Sequence, residues 1–572
     1  MKFRINLHLQ SDRYSIRHQM SSTGLHQITE EVHHTTHKQG NYTKGNREHL
    51  DQRLKREEIL KLPSQPAISP SFPFGPYRFI DREYLIISYE TDFEILRKVV
   101  PYPLVPQSNV VLYEWINMPD SSGFGSYSET GTVIPCLLND EPVNFTLQMY
   151  LNNEAPIASG REIWGFPKKY AKPSMGINKD TLVGRLNYSE EQIAFGTMTY
   201  KYKKIPEAEV LKSLTKLQCV LKYIPDVDWS PKIAQLIGFN LCDIQLKEAW
   251  EGPAKLELIP HVNAPTTLLP VLKVLGGKHI KADITLPFGK ILHDYVESVG
   301  GQENAKEIAK GHRGEQGQLD FSIQEDILRS ASMPLIAPSF SKGPLIMDDR
   351  EYLIFQYESI PEAIARALPE PLIPYDHNYV YLYFINASGS GLGEFHKLDM
   401  YVPCYLGNEL VMFGVQSYLN SSASRTAGRE VFGQPQKFGD AEITVCRDTL
   451  KATLKYSDET IAFATMSYKF NKLDPHKARE MLEIPMVNLK FIPSAVEGKV
   501  DIAQLTKMEY SDIHITASYH SPCQVSLVHH VNAPLKDLPV VKTLDGYHIK
   551  ADTIIRKATV VYDYLLDKSY IQ

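Results

Sequence analysis

Alternation of apolar and polar residues at every second position dominates this chain, and it predicts strands before anything else. Glu83–Glu90 (EYLIISYE), Asn109–Ile116 (NVVLYEWI), Asn144–Leu151 (NFTLQMYL), Thr181–Tyr188 (TLVGRLNY) and Ile193–Tyr202 (IAFGTMTYKY) are rich in β-branched and aromatic residues, and several alternate. Helical spacing is confined to short stretches, Thr91–Val100 (TDFEILRKVV) and Ile205–Lys216 (IPEAEVLKSLTK). Pro and Gly punctuate the intervals. The pattern predicts an α+β fold, mainly antiparallel, as a β-barrel or strongly bent sheet with a few flanking helices. Regular strand–helix alternation is missing and no G-x-G-x-x-G follows a strand, which argues against a doubly wound sheet.

The pattern also repeats. DREYL at Asp81 recurs at Asp349, GRE at Gly160 recurs at Gly428, and IAFGTMTYK from Ile193 is answered by IAFATMSYK from Ile461, each 268 residues on. VNAP (Val262, Val531) and HIKAD (His279, His548) are offset by 269. A nearly constant offset across most of the chain is the signature of a tandem duplication. Matching helical leaders are predicted at Arg56–Lys61 (REEILK) and Gln324–Arg329 (QEDILR), each running into a Pro/Ser-rich turn and then SFPFGP from Ser71 or SFSKGP from Ser339. The organisation read from this is a disordered arm over residues 1–51, a domain over 52–299, a polar linker over 300–319 and a second domain over 320–572.

Composition narrows the partners. Of 572 residues 22% are charged, and the formal charge of −6 divides into +4 over residues 1–64 and −10 over the rest. Neither value calls for nucleic acid. No apolar run approaches the length of a membrane helix. Six cysteines without a C-x-x-C spacing fit a reducing, cytoplasmic compartment better than a disulfide framework. The arm holds seven of the nineteen histidines, and its first residues carry Arg4, Arg13 and Arg17 against Asp12, a weak likeness to an organellar targeting segment. His33, His34 and His37 read as part of a solvated tail rather than as a metal site.

The segment with chemistry in it is Gly160–Ala171, GREIWGFPKKYA. A KK pair ordinarily marks an exposed turn. Here it follows an aromatic–Pro pair in apolar surroundings, and the competing reading is an amine nucleophile. A lysine titrating near 10.4 is neutral in only about one molecule in a few thousand at pH 7. Burial or a neighbouring cation lowers that value and frees the amine to attack a ketone. Successive side chains on an extended segment point to opposite faces, so Lys168 and Lys169 are expected to diverge and desolvation to outweigh the second lysine.

These residues resemble the acetoacetate decarboxylase family. The similarity runs through nearly all of residues 65–295, in SPSFPFGPYRFIDREYL, LRKVVPYPL, GSYSETGTVIPC, GREIWGFPKK, DTLVGRLNY, EAWEGPAKLEL and HIKADITLPFGKILHDYV. That family is a standard example of an activated lysine nucleophile. The resemblance implies that Lys168 is the Schiff-base lysine, Lys169 its neighbouring cation, and Arg82, Glu114 and Glu129 the polar site residues. Trp164, Phe166 and Met149 are the candidate pocket wall. It further implies a small β-keto acid substrate, decarboxylation through a lysine imine, no cofactor and no metal, because the imine is the electron sink, and a homo-oligomer of many domains.

The second repeat departs from this pattern. GREVFGQPQKF puts Gln436 at the Schiff-base position, with Lys437 retained beside it. Gln434 answers Phe166, Lys397 answers Glu129, Arg350 survives, and Tyr383 or Phe384 stands for Glu114. An amide forms no imine, so this copy is expected to be a structural or regulatory pseudo-domain. The GRE residues persist in both copies and read as scaffold. Two other readings stay open at this point: an aldolase- or dehydratase-like enzyme using the same lysine, and a non-catalytic small-molecule binder.

Overall fold

In the computed structural model, which describes residues 49–311 and 320–569, each of the five segments forms a strand, the second starting at Val110 and the last ending at Thr199. Tyr77–Glu90 pairs antiparallel with Val110–Met118, that strand with Tyr127–Leu138, and that in turn with Glu141–Leu151. Both helical stretches form. Phe93–Val99 starts where the Asp92 carboxylate accepts from the N–H groups of Glu94 and Ile95, and Glu207–Leu214 follows Pro206.

The strands curl into a barrel. In the second repeat Val500–Leu527, Met486–Pro493, Glu409–Leu419, Phe395–Leu406, Tyr379–Ala387, Leu345–Glu358 and Lys542–Asp563 follow one another, and the last pairs back onto the first. Most contacts are antiparallel; Glu409–Leu419 and Met486–Pro493 run parallel. The first repeat has the same order with its two long strands interrupted. Pro231–Phe239 pairs with Lys290–Asp294, and Cys242–Gly252 with Lys273–Leu286. A four-stranded sheet, Lys172–Asn178 through Ala254–Leu258, flanks that barrel. Among the described residues no helix is long and apolar enough to cross a membrane.

The leaders are exchanged, and this changes the domain boundaries read from sequence. Ile59 is fully buried in the core of the second repeat, with Leu54, Leu60, Leu62 and Ile68 packed on it. Phe321, Ile327, Leu328, Met333 and Leu335 complete the core of the first. Backbone bonds hold each leader to its host: Leu54 donates to Leu368 O and Phe321 to Lys98 O. Each fully buried aliphatic side chain is worth about 1.5–3 kcal/mol over exposure, so each leader belongs energetically to the opposite copy. Residues 54–69 are thus part of the second globule although they precede the first.

Part of the segment 300–319, read as a polar linker, is helical. Gln302–Lys310 is a helix, with Ala305 buried in the first repeat's core and Ile308 against it. Its few apolar residues are spaced to face that core, and the surrounding Gly, Gln and Glu masked the signal. Of the arm over residues 1–51, only His49–Asp51 fall within the described residues; Leu50–Gln52 form a single 3₁₀ turn.

Candidate active site

Strand register assembles the site. Ile86 lies opposite Glu114, Glu114 opposite Gly131, Gly131 opposite Met149, and Met149 opposite Lys168. One row across five strands therefore puts these side chains on one face, and Glu129, two residues before Gly131, shares it. Gly131 contributes no side chain to the row. A Cβ there would meet Gln148 O at 2.7 Å and Met149 Cγ at 3.1 Å. Arg82 arrives by another device, a bulge between Phe79 and Arg82 in which Asp81 takes φ of +56°. The Asp81 N–H donates to Asp283 Oδ1 at 2.8 Å, fixing that turn.

Around this row lies a cavity of about 110 Å³. Arg82, Glu114, Glu129 and Lys168 form its polar end, and Trp164, Phe166, Met149, Phe239 and Leu241 contribute to its apolar wall. Lys168 Nζ lies 3.3 Å from Glu129 Oε2 and 5.0 Å from the centre of the Phe166 ring. Its aliphatic stem runs over Gly160, where any Cβ would come within 2.8 Å of Cδ. Burial pushes the Lys168 amine below its ordinary value, the Glu129 carboxylate pulls the other way, and Arg82 adds a smaller downward push. Glu114 is pushed up to about 7, first by burial, with Arg82 opposing and Glu129 adding to it. Arg82 Nη2 stands 3.7 Å from Glu129 Oε1, and its Nε is buried without a hydrogen-bond partner among the described residues.

Lys169 does not join them. It lies on the other face of the short strand Lys168–Tyr170, where Nζ donates to Asn263 O at 2.7 Å and Ala337 O at 3.3 Å above the Tyr188 ring. Burial, then Arg161, lowers it to about 8. It is absent from the groups that shift Lys168. The other candidates in the first repeat, Arg82, Glu114, Glu129, Lys168, Trp164, Phe166 and Met149, all border the cavity. Sequence reasoning missed Gly131, Tyr84, Tyr127 and Leu241, which border it too.

In the second repeat the corresponding row reads Ile354, Tyr383, Asp399, Ser417, Gln436, so Tyr383 is the counterpart of Glu114. Asp399 stands where Gly131 leaves space, and its carboxylate pairs with Lys397 at 2.9 Å, both buried. Tyr401 replaces Val133 and donates to Asp399 at 3.1 Å; its ring meets that of Tyr383 at 5.2 Å. Tyr510 replaces Leu241, and Arg350 donates to its hydroxyl at 3.2 Å. The amides of Gln434 and Gln436 meet at 2.6 Å. Side chains and their mutual bonds thus occupy the positions that border the cavity in the first copy. Burial, then Arg429, pushes Lys437 down to about 7, but its Nζ donates to Ser69 Oγ and Asn532 O, away from Gln436.

The two sites are joined by a reciprocal pair of buried ion bridges. Arg161 donates from Nε and Nη2 to the Glu430 carboxylate at 2.6 and 2.9 Å, and Arg429 to that of Glu162 at 2.6 and 2.8 Å. The third nitrogen of each reaches back into its own copy: Arg161 Nη1 to Lys168 O at 3.0 Å, Arg429 Nη1 to Gln436 O at 2.9 Å.

Comparison of the sequence with known families finds the same two-copy organisation. The acetoacetate decarboxylase family model matches twice, over residues 61–296 and 332–565. An acetoacetate decarboxylase of Burkholderia mallei is 48% identical over 233 residues, 41% of this chain and 95% of that protein. Acetoacetate decarboxylase 1 of Bradyrhizobium diazoefficiens is 51% identical over 244 residues, 42% of this chain and 98% of its own length. Among solved structures, the acetoacetate decarboxylase of Legionella pneumophila is 42% identical, covering 45% of this chain and 99% of that one, with a TM-score of 0.41.

Proposed function

Since the chain belongs to the acetoacetate decarboxylase family, we propose that its first repeat converts acetoacetate to acetone and CO₂ through an imine on Lys168. The observation that carries this reading is the Lys168 amine itself: buried, lowered by desolvation and bordering a cavity beside two carboxylates and a guanidinium. Neutral Lys168 attacks the ketone carbon, and loss of water gives a protonated imine. When the C–C bond to the carboxylate breaks, its electron pair moves into the imine, CO₂ departs, and an enamine remains. Glu114, held near 7, carries the proton that the enamine carbon takes up. Water then adds to the imine carbon, acetone leaves and the amine is regenerated. Arg82, with its unpartnered Nε, orients the substrate carboxylate.

The second repeat carries no catalytic site in this reading, since Gln436 forms no imine and Tyr383, Asp399, Tyr401 and Tyr510 take up the space of the pocket. Incubation with acetoacetate and borohydride tests the proposal. Expected are CO₂ release and a mass gain confined to the Lys168 peptide, both lost in Lys168→Ala. An imine without CO₂ would favour aldolase-like chemistry, and no adduct at all a non-catalytic binder. Activity that survives Lys168→Ala overturns the mechanism.

A further inference from the structure

The second copy has lost the lysine and both carboxylates of the candidate site and kept the residues that reach across. Besides the Lys168 carbonyl, the partners of the Arg161 guanidinium come from one source. Glu430 takes Nε and Nη2, while Met333 O at 2.8 Å and Ser339 Oγ at 3.2 Å share Nη1 with Lys168 O. Glu430, Met333 and Ser339 all belong to the second repeat or its leader. We propose that Glu430, supplied by the catalytically silent copy, is a positioning residue for the Schiff-base lysine and acts through Arg161.

The role presupposes that Lys168 is the nucleophile. Lys168 opens a strand of three residues and follows Pro167, which has no N–H to give. Its backbone is held by the parallel register with Met149 on one side and by Arg161 on the other. A bidentate carboxylate fixes the plane of a guanidinium, so Glu430 fixes where Nη1 points. Without that anion Arg161 is a buried cation stripped of its bidentate partner, and it reorients toward whatever acceptor or water it can reach. The Lys168 carbonyl is then released, and the amine loses its defined place 3.3 Å from Glu129 and over Gly160.

The pseudo-symmetry of the molecule supplies a control within the same chain. Glu162 holds Arg429, and Arg429 Nη1 holds the carbonyl of Gln436, with the same burial and nearly the same distances. Loss of Glu162 breaks an equivalent interface pair, but one that ends on a silent amide. If Glu430 served only to join the repeats, the two losses would be equivalent. If it positions Lys168, they are not.

The test compares full-length wild type, Glu430→Gln and Glu162→Gln for acetoacetate decarboxylation, borohydride trapping and thermal melting. Both variants are expected to melt earlier by similar amounts. Only Glu430→Gln is expected to lose kcat, by about tenfold or more with KM little changed, because displacing a reacting group by about 1 Å costs on that scale or beyond. Equal loss in both variants, or loss in neither, overturns the proposal. If Glu430→Gln does not fold, Arg161→Lys against Arg429→Lys provides the same contrast: a kcat loss confined to Arg161→Lys supports the role, and matched rates overturn it. A wild type that forms no imine sinks the decarboxylase reading and this proposal with it; an active wild type with matched variants sinks this proposal alone.

Discussion

Lys168 Nζ and Glu129 Oε2 lie 3.3 Å apart with both side chains nearly excluded from water. Burial favours the neutral amine that the proposed imine chemistry needs, while the carboxylate favours the ammonium. Glu129→Gln removes the upward pull, so the acid limb of imine formation moves to lower pH. We expect kcat to fall about tenfold or more through loss of the partner that orients the amine. The pH dependence of Lys168 acylation by an amine-reactive ester reads the shift directly; an acid limb that moved upward would contradict it.

The opposite manoeuvre is to let water in. Phe166 borders the cavity at 5.0 Å from the amine, whereas Lys169 faces away. Phe166→Ser relieves the desolvation that lowers Lys168, so its acid limb moves to higher pH. Lys169→Met leaves that limb where it is. A profile that moved in Lys169→Met and stayed put in Phe166→Ser would assign the perturbation to charge rather than to burial.

In the proposed mechanism Glu114 sets the other limb. Its folded value of about 7 lies above the ordinary carboxylic acid range, so the protonated donor is present below that pH and is lost as pH rises through it. Decarboxylation limited by proton delivery is expected to decline above about 7. Glu114→Gln should flatten that decline and lower kcat by about 10²-fold, the usual contribution of a positioned proton carrier. Steady-state rates from about two pH units below the donor's value to about two above it would check both points.

Restoring a lysine to the second copy should not restore activity. In Gln436→Lys the amine would meet Lys397, while Asp399, Tyr401 and Tyr383 still stand in the row where the first copy is hollow. Borohydride trapping is expected to label only Lys168, and the variant to melt earlier than wild type because a second cation is buried beside Lys397. Labelling of the new lysine would show that a usable cavity persists there.

The exchanged leaders predict that the chain can be cut without coming apart. A protease site introduced between Gly311 and Asp320, once cleaved, should leave the two fragments co-eluting, since each supplies core residues such as Ile59 or Leu328 to the other. Removal of residues 54–69 should instead destabilise the second repeat before the first. Scattering and differential scanning of the cleaved and truncated proteins would separate these outcomes.

Much of the site was legible because one chain holds two copies of it. The alternation marked the strands, and the fixed offset marked which residues persist and which diverge. Arg161 and Glu162 recur because each pairs with a residue of the other copy, whereas Lys168 gives way to Gln436, as expected if only one copy carries the proposed chemistry. Gly131 carried a usable signal that residue type alone conceals: its counterpart is Asp399, and replacing a glycine by a buried charge means that space has been filled. The leader exchange left no trace in composition or period. Ile59 and Ile327 stand in equivalent apolar positions whether each folds onto its own copy or onto the other, and only tertiary packing distinguishes the two. The helix Gln302–Lys310 was hidden for a related reason, since a single buried alanine anchors it.

The crossing of the leaders also sets a timetable for synthesis. Once Leu335 has left the ribosome the first copy's core lacks only Ile492 and Ile502, whereas the leader around Ile59 waits for partners as late as Tyr564. At about 5–20 residues per second the wait from Ile59 to Tyr564 is on the order of 25–100 s. Until then Ile59, Leu60 and Leu62 lack the complete core that they occupy in the folded chain. Slower translation lengthens this wait rather than shortening it.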